Sequence, residues 1–354
     1  MRALLMAALA LLVAPVVCAG PLPEHWVAKG SDWVIHVDAE RLAQAEALTP
    51  LFDAMTASAW GASLTDMGID ARMDVSGITM FGTITRAPDA RGVTTTILQG
   101  GAALRQAIQK HVEAHNGYTL MLRRTLQADG KRINAWTIDS LSVHVALVPM
   151  GTREASTGQP PKLVAVLSDN SDRLQACIGL LLSEKASDRP EPPSRDGNTK
   201  LDIEGGPECP PPGCVLFAWA KDLDDAHPKL RSELLASADS LVAHLGYRDE
   251  SNQTVVFANL DVHGNETANG DRMVSALNSM VEFWTSRTSA LAASNPAMLE
   301  LLPLVEACQV SRDGSSVKLI MERAIAKADP PASDTPNRGT GLAIEPESPN
   351  PSDR

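Results

Sequence analysis

The chain has 354 residues, 44% of them hydrophobic, which is enough for one large core or two smaller ones. Its formal charge is −12, from 43 acidic against 31 basic residues, and this disfavours attraction to phosphate backbones or anionic lipid. It has no zinc-finger spacing and no basic stripe interleaved with aromatics, so no nucleic-acid partner is expected.

The first twenty residues read MRALLMAALALLVAPVVCAG. Arg2 gives a short positive start, Ala3 to Val17 is almost wholly apolar, and Val17-Cys18-Ala19 fits a cleavage site. Residues 1–19 are therefore expected to be a signal peptide, and the protein to be exported, periplasmic or secreted. Lipid anchoring through Cys18 is the alternative, but Pro15 and Val17 fit a lipoprotein signal poorly. The apolar run is shorter than the roughly 20 residues a spanning helix needs, and no transmembrane segment is expected in the mature chain.

The mature fold opens with a strand in DWVIHV. Leu42, Ala45, Leu48, Leu51, Phe52 and Met55 then recur at helical spacing, with Pro50 as a break between two helices. GITMFGTI and GVTTTILQG read as strands joined by TRAPDAR, and a helix is expected from about Ala102 to Ala114. GYTLMLRRT, KRINAWTI and LSVHVALV read as an antiparallel meander with a turn at Asp129-Gly130. KLVAVLS is a strand, and DNSDRLQACIGLLLSE a helix capped by Ser168, Asp169 and Asn170.

A run rich in Pro, Gly and charge follows, and the chain then restarts with CVLFAWAKDLDDAHPKL. Aligned on WVIHVDAERLAQAEALT, this restart matches Val34-Ile35 to Val215-Leu216 and Leu42 to Leu223. Downstream, strand, polar turn, strand and helix recur in both halves. Met273, Ala276, Leu277, Met280, Val281 and Trp284 form one helical stripe, Met298 to Val305 another helix, and Asp313-Gly314 a hairpin.

These elements predict an α+β fold of two related halves, each a mainly antiparallel sheet with helices packed on one face. The expected organisation is a signal peptide over 1–19, a first α/β domain over 25–185 and a Pro/Gly-rich linker over 186–212. A second α/β domain spans 213–325, and a disordered tail 326–354.

Four cysteines remain after signal removal: Cys177, Cys209, Cys214 and Cys308. An oxidising compartment permits disulfides, and the short ECPPPGC loop favours Cys209–Cys214, leaving Cys177–Cys308 by elimination.

The closest approach to a metal site is HVEAH, with His111 and His115 one helical turn apart. The intervening acid is Glu113, which points away from the pair on a regular helix. Both histidines continue the apolar row of Leu104 and Ile108, which reads as a core boundary. A third ligand would have to come from His144 or Asp139. No metal and no cofactor is expected. Asp66, Asp70 and Asp74 lack calcium-loop spacing, and no nucleophile elbow, P-loop or dinucleotide fingerprint occurs. Catalytic residues are unknown at this level. The expectation is an exported non-catalytic envelope protein, binding or structural, that contacts an envelope protein or other envelope component. The alternative is an exported hydrolase with an unidentified carboxylate or histidine site.

Overall fold

The computed structural model describes residues 26–182 and 213–326, apart from shorter stretches, chiefly 85–91, 115–118, 121–125, 139–142, 150–162, 225–232 and 293–296. The expected signal peptide, the linker over 186–212, the tail beyond Ala326 and the Asp129-Gly130 turn lie outside the described residues.

The apolar segment WVIHV forms β1 (Trp33–Val37). Asp38 then caps α1 (Ala39–Gln44), its carboxylate accepting the Arg41 amide at 2.8 Å. A 3-10 turn over Glu46–Leu48 precedes α2 (Thr49–Thr56) and α3 (Ala59–Asp66). The helical region therefore breaks already at Ala45. Pro50 sits in the first turn of α2, where its missing N–H costs no helical bond.

Strands β2 (Val75–Gly82) and β3 (Thr94–Gly100) lead into α4 (Ala102–Ala114). The meander region supplies β4 (Thr119–Leu120), β5 (Leu126–Ala128), β6 (Lys131–Ile133), β7 (Ala135–Ile138) and β8 (Val143–Pro149). Strands β5 and β6 pair only with each other, as a separate two-stranded ribbon. β9 (Leu163–Ser168) and α5 (Ser171–Leu182) follow.

After the undescribed segment come β10 (Cys214–Ala220), the short α6 (Glu233–Ser237), β11 (Ser240–Asp249) and β12 (Gln253–His263). The chain then forms α7 (Asn269–Ala292), α8 (Ala297–Glu306), β13 (Gln309–Asp313) and β14 (Ser316–Ala326). No helix among the described residues is long and apolar enough to cross a membrane.

Twelve of these strands make one antiparallel sheet in the order β13-β14-β12-β11-β10-β1-β2-β3-β9-β8-β7-β4. Its centre is the β1–β10 pair, in which Trp33 faces Ala220, His36 faces Phe217 and Val37 faces Leu216. Outward from that pair the order runs β1-β2-β3-β9-β8 on one side and β10-β11-β12-β14-β13 on the other. The segments before and after the linker therefore contribute to one continuous sheet.

Two cores lie on opposite faces of this sheet. The larger contains Trp33, Ile35 and Val37 of β1 with Leu216, Ala218, Leu245, Leu260 and Leu319. It is roofed by apolar residues of α1 to α4, α7 and α8, among them Leu42, Phe52, Leu64, Leu104, Met273, Leu277 and Leu304. The smaller core contains Val34, Phe81, Ile97, Val148, Val164, Val166, Phe217 and Trp219, roofed by Leu174, Cys177, Ile178 and Leu181 of α5 and by Trp26. Helices thus pack on both faces of the sheet, where the sequence predicts one covered face. The physical reason lies in the central strands: WVIHV and CVLFAWA are buried at every position, so each side of them needs a roof.

Candidate functional site

His111 sits in the last turn of α4, half-buried, one turn beyond the buried Ile108 and two beyond the fully buried Leu104. His115 and Asp139 lie outside the described residues. Among the described residues no three His, Cys, Asp or Glu side chains converge in a metal-binding arrangement. His144 lies on β8 instead, its Nδ1 2.9 Å from the Thr137 hydroxyl.

The other sequence candidates go to local structure. The Asp70 carboxylate accepts the amides of Arg72 (2.8 Å) and Met73 (3.3 Å), and Asp74 accepts the Asp70 amide (2.8 Å), as in a self-capped turn. Asn170 caps α5 by accepting the amides of Asp172 and Arg173 at 3.0 Å. Asp169 accepts the Thr94 amide at 3.1 Å and so ties β3 to the start of that helix. The Ser168 hydroxyl is buried and engaged by Thr95, the Thr94 carbonyl and the Asn170 amide, which leaves no exposed nucleophile there.

The structure does not bring the expected Cys177–Cys308 pair together. Cys177 is a free thiol buried among α5 residues in the smaller core, whereas Cys308 is a free thiol packed against the larger core across the sheet. Cys214 is also a free thiol, donating to the Leu216 carbonyl at 2.8 Å, and Cys209 lies outside the described residues. Burial raises the Cys177 and Cys214 thiols to about 12 and Cys308 to about 11.

What sequence reasoning missed is a row of side chains crossing the smaller-core face of the sheet. Its centre is His36 opposite Phe217. Outward through the first half come Thr79, Ile97, Val166 and Ala146. Outward through the second half come His244, Asn259, Ile320 and Gln309. The first arm is closed: His36 is 2% exposed with its Nδ1 2.7 Å from the Thr79 hydroxyl, and α5 packs over the strands beyond.

The second arm differs in chemistry and cover. Asn259 is half-buried, Gln309 is exposed and Ile320 is 43% exposed. The adjoining row places Trp219, Val242, Asp261 and Lys318 side by side. His244 stacks on Phe217 at 5.6 Å and 29°. Burial holds the His244 imidazole below its ordinary pKa, and the neighbouring Asp261 carboxylate partly offsets that. Asp261 Oδ1 lies 3.3 Å from the Lys318 ammonium. Neither His244 Nε2 nor Asp261 Oδ1 makes a hydrogen bond among the described residues. Further along, Arg248 pairs with Glu250 and Glu322. Both cations, Arg248 and Lys318, pair with carboxylates of the chain, and the polar atoms stand beside exposed or half-exposed apolar carbon.

No protein-family model, curated protein or solved structure matches the chain.

Proposed function

We propose that this is an exported, non-catalytic envelope protein that binds a protein or another component of the envelope through the second-half face bearing His244, Asn259, Asp261, Lys318 and Ile320. The observation that carries the reading is the contrast between the two arms of one row. At equal distance from the centre, Val166 lies in the helix-roofed core while Ile320 stands exposed among polar neighbours. A face that retains apolar carbon beside hydrogen-bonding groups, with Ile320 and Gln309 exposed at its outer end, is the form a wet protein interface takes.

The reading includes descent from a duplicated unit. Five strands on each side of the β1–β10 boundary mirror one another in order, β7 and β4 being additional on the first side, and each side has a first strand, a helical segment, two paired strands, a helix and a closing strand pair. Leu42 and Leu223, matched by the sequence alignment, are both buried. In this account the two copies diverged on one face. The first kept a dry surface under α5, and the second exchanged Ile97, Val166 and Ala146 for Asn259, Ile320 and Gln309 at the same ranks.

Export, periplasmic or secreted, rests on the leader over 1–19. The test is co-purification of the mature protein from native envelopes at several salt concentrations, beside a form carrying Asn259→Arg. A specific component retained by the unaltered protein and lost by N259R supports the reading. Recovery of nothing specific, or of the same component by both forms, overturns it.

A further inference from the structure

Strand β14 is longer than its outer neighbour. Its eleven residues all pair with β12, from Ser316 opposite His263 to Ala326 opposite Gln253. On the other side β13 pairs only with Ser316 to Ile320. A notch six residues long, Met321 to Ala326, is thus left at the rim of the sheet. Among the described residues no backbone group outside the sheet bonds to this stretch. From the side-chain guanidinium of Arg323 a hydrogen bond runs to the Pro303 carbonyl at 3.0 Å, which secures the end of α8 through the side chain and not the main chain.

Which backbone groups point into the notch follows from the hairpin. Gly314 (φ 61°) and Ser315 form a two-residue turn closed by the Asp313–Ser316 pair. In such a turn the closing residues bond to each other, so Ser316, Lys318 and Ile320 direct N–H and C=O toward β13. The Gly264 amide bonds to the Ser315 carbonyl at 3.0 Å, so the odd-numbered residues serve β12, consistent with that alternation. Glu322, Ala324 and Ala326 therefore turn their N–H and C=O groups outward into the notch.

We infer that the notch is filled by Glu322 to Ala326 of a second copy of the chain, running antiparallel about a two-fold axis through Ala324. Antiparallel self-pairing across a continuous sheet keeps each face on its own side, so only registers that oppose residues of equal parity are allowed. One such register opposes Glu322 to Glu322, and the next opposes Arg323 to Arg323, both like-charge pairs. Shifting once more places Ala324 opposite Ala324, Arg323 opposite Ile325 and Glu322 opposite Ala326, with no like charges facing. This register sets the partner's β14 in line with β13, end to end, and forms about six new main-chain hydrogen bonds. Its small area puts the dimer at the weak end of specific association, with a Kd of about 10–100 μM. The contact is at the rim and uses none of His244, Asn259, Asp261, Lys318 and Ile320.

Sedimentation equilibrium of the mature protein across that range tests it, with Ala324→Lys and Ala324→Pro as variants. A324K places two cations opposite each other. A324P removes an outward N–H that β12 does not use, a place where an edge strand tolerates proline. The expected result is a monomer–dimer equilibrium weakened at least about tenfold by each variant while thermal unfolding is retained. In parallel, Ala324→Cys should give a symmetric 324–324 disulfide under oxidation, since the opposed Cα atoms of a bonded pair stand about 5.5 Å apart. A protein monomeric to about 500 μM, well above that Kd range, overturns the inference, as does a dimer untouched by A324K. A rim bound by a strand of another protein, with the chain alone monomeric, also overturns it.

Discussion

Truncating Phe217 to alanine probes the joint between the two segments of the chain. Phe217 is 1% exposed on β10, flanked by His36 of β1 and His244 of β11 on the same face of the sheet. A buried phenylalanine removes about 200 Å² from water, which at about 25 cal/mol per Å² is about 5 kcal/mol. Residual burial in the unfolded chain lowers that figure, and the cavity left between two adjoining strands offsets part of the reduction. The net expected loss is about 3–5 kcal/mol, a large share of a typical folding stability of about 5–15 kcal/mol. Urea unfolding followed by tryptophan fluorescence reads it as a fall in midpoint at constant slope. Phe283→Ala is the control: that ring is 53% exposed on α7, and its removal should stay within about 0.5 kcal/mol. A loss below about 1 kcal/mol for F217A would refute the placement of β10 at the centre of the sheet. A cycle with His244→Ala should return about 0.5–1.5 kcal/mol of coupling from the stacked pair.

Three further outcomes follow from the same geometry. His244 is held below its ordinary pKa, so the folded state binds the proton less readily than the unfolded chain. Stability should therefore be full above the unfolded value near 6.5 and fall as pH drops from there toward the folded value, and His244→Phe should flatten that limb; an unchanged pH profile in H244F would contradict it. Burial raises the Asp38 carboxyl while its cap bond to Arg41 lowers it. Asp38→Ala should cost about 1 kcal/mol through loss of the cap, whereas Asp38→Asn, which caps without burying a charge, should match or exceed the unaltered protein at pH 7 in thermal unfolding. Thiols raised to about 12 at Cys177 and about 11 at Cys308 should alkylate at pH 8 at least about a hundredfold more slowly in the native protein than after denaturation, as peptide mapping would read.

Local elements were legible in the sequence because their signals are local. Ala102–Ala114, Ser171–Leu182 and the Asp313-Gly314 hairpin emerge where periodicity and turn residues placed them. Long-range order was not. Nothing within LVAVLS says that β9 inserts between β3 and β8, because that pairing joins Thr95 to Ser168 across more than seventy residues. The apolar stripe of α5 announces a buried side without saying which face of the sheet receives it. The missed signal was the unbroken apolar run of CVLFAWA, which marks a strand buried on both faces and hence a sheet roofed twice. The restart after the linker was read as the opening of a second sheet, whereas β10 pairs with β1 and extends the first. The row from Phe217 to Gln309 was invisible for the same reason: His244, Asn259 and Ile320 are neighbours only through strand register. Sequence spacing drew attention instead to His111 and His115, a pair for which no spacing identifies a third ligand.

The asymmetry between the two arms is tested most directly by one pair of substitutions, Ile320→Arg and Val166→Arg, which occupy the same rank on either side of the centre. Each variant is assayed for thermal unfolding and for retention of the envelope component recovered by the unaltered protein. The account predicts that V166R, which buries an unpaired charge beneath α5, fails to fold or loses several kcal/mol. I320R should keep its unfolding transition within about 0.5 kcal/mol and lose the component. An I320R protein that unfolds as V166R does, or that folds and retains the component in full, would contradict an open binding face on the second half of the sheet.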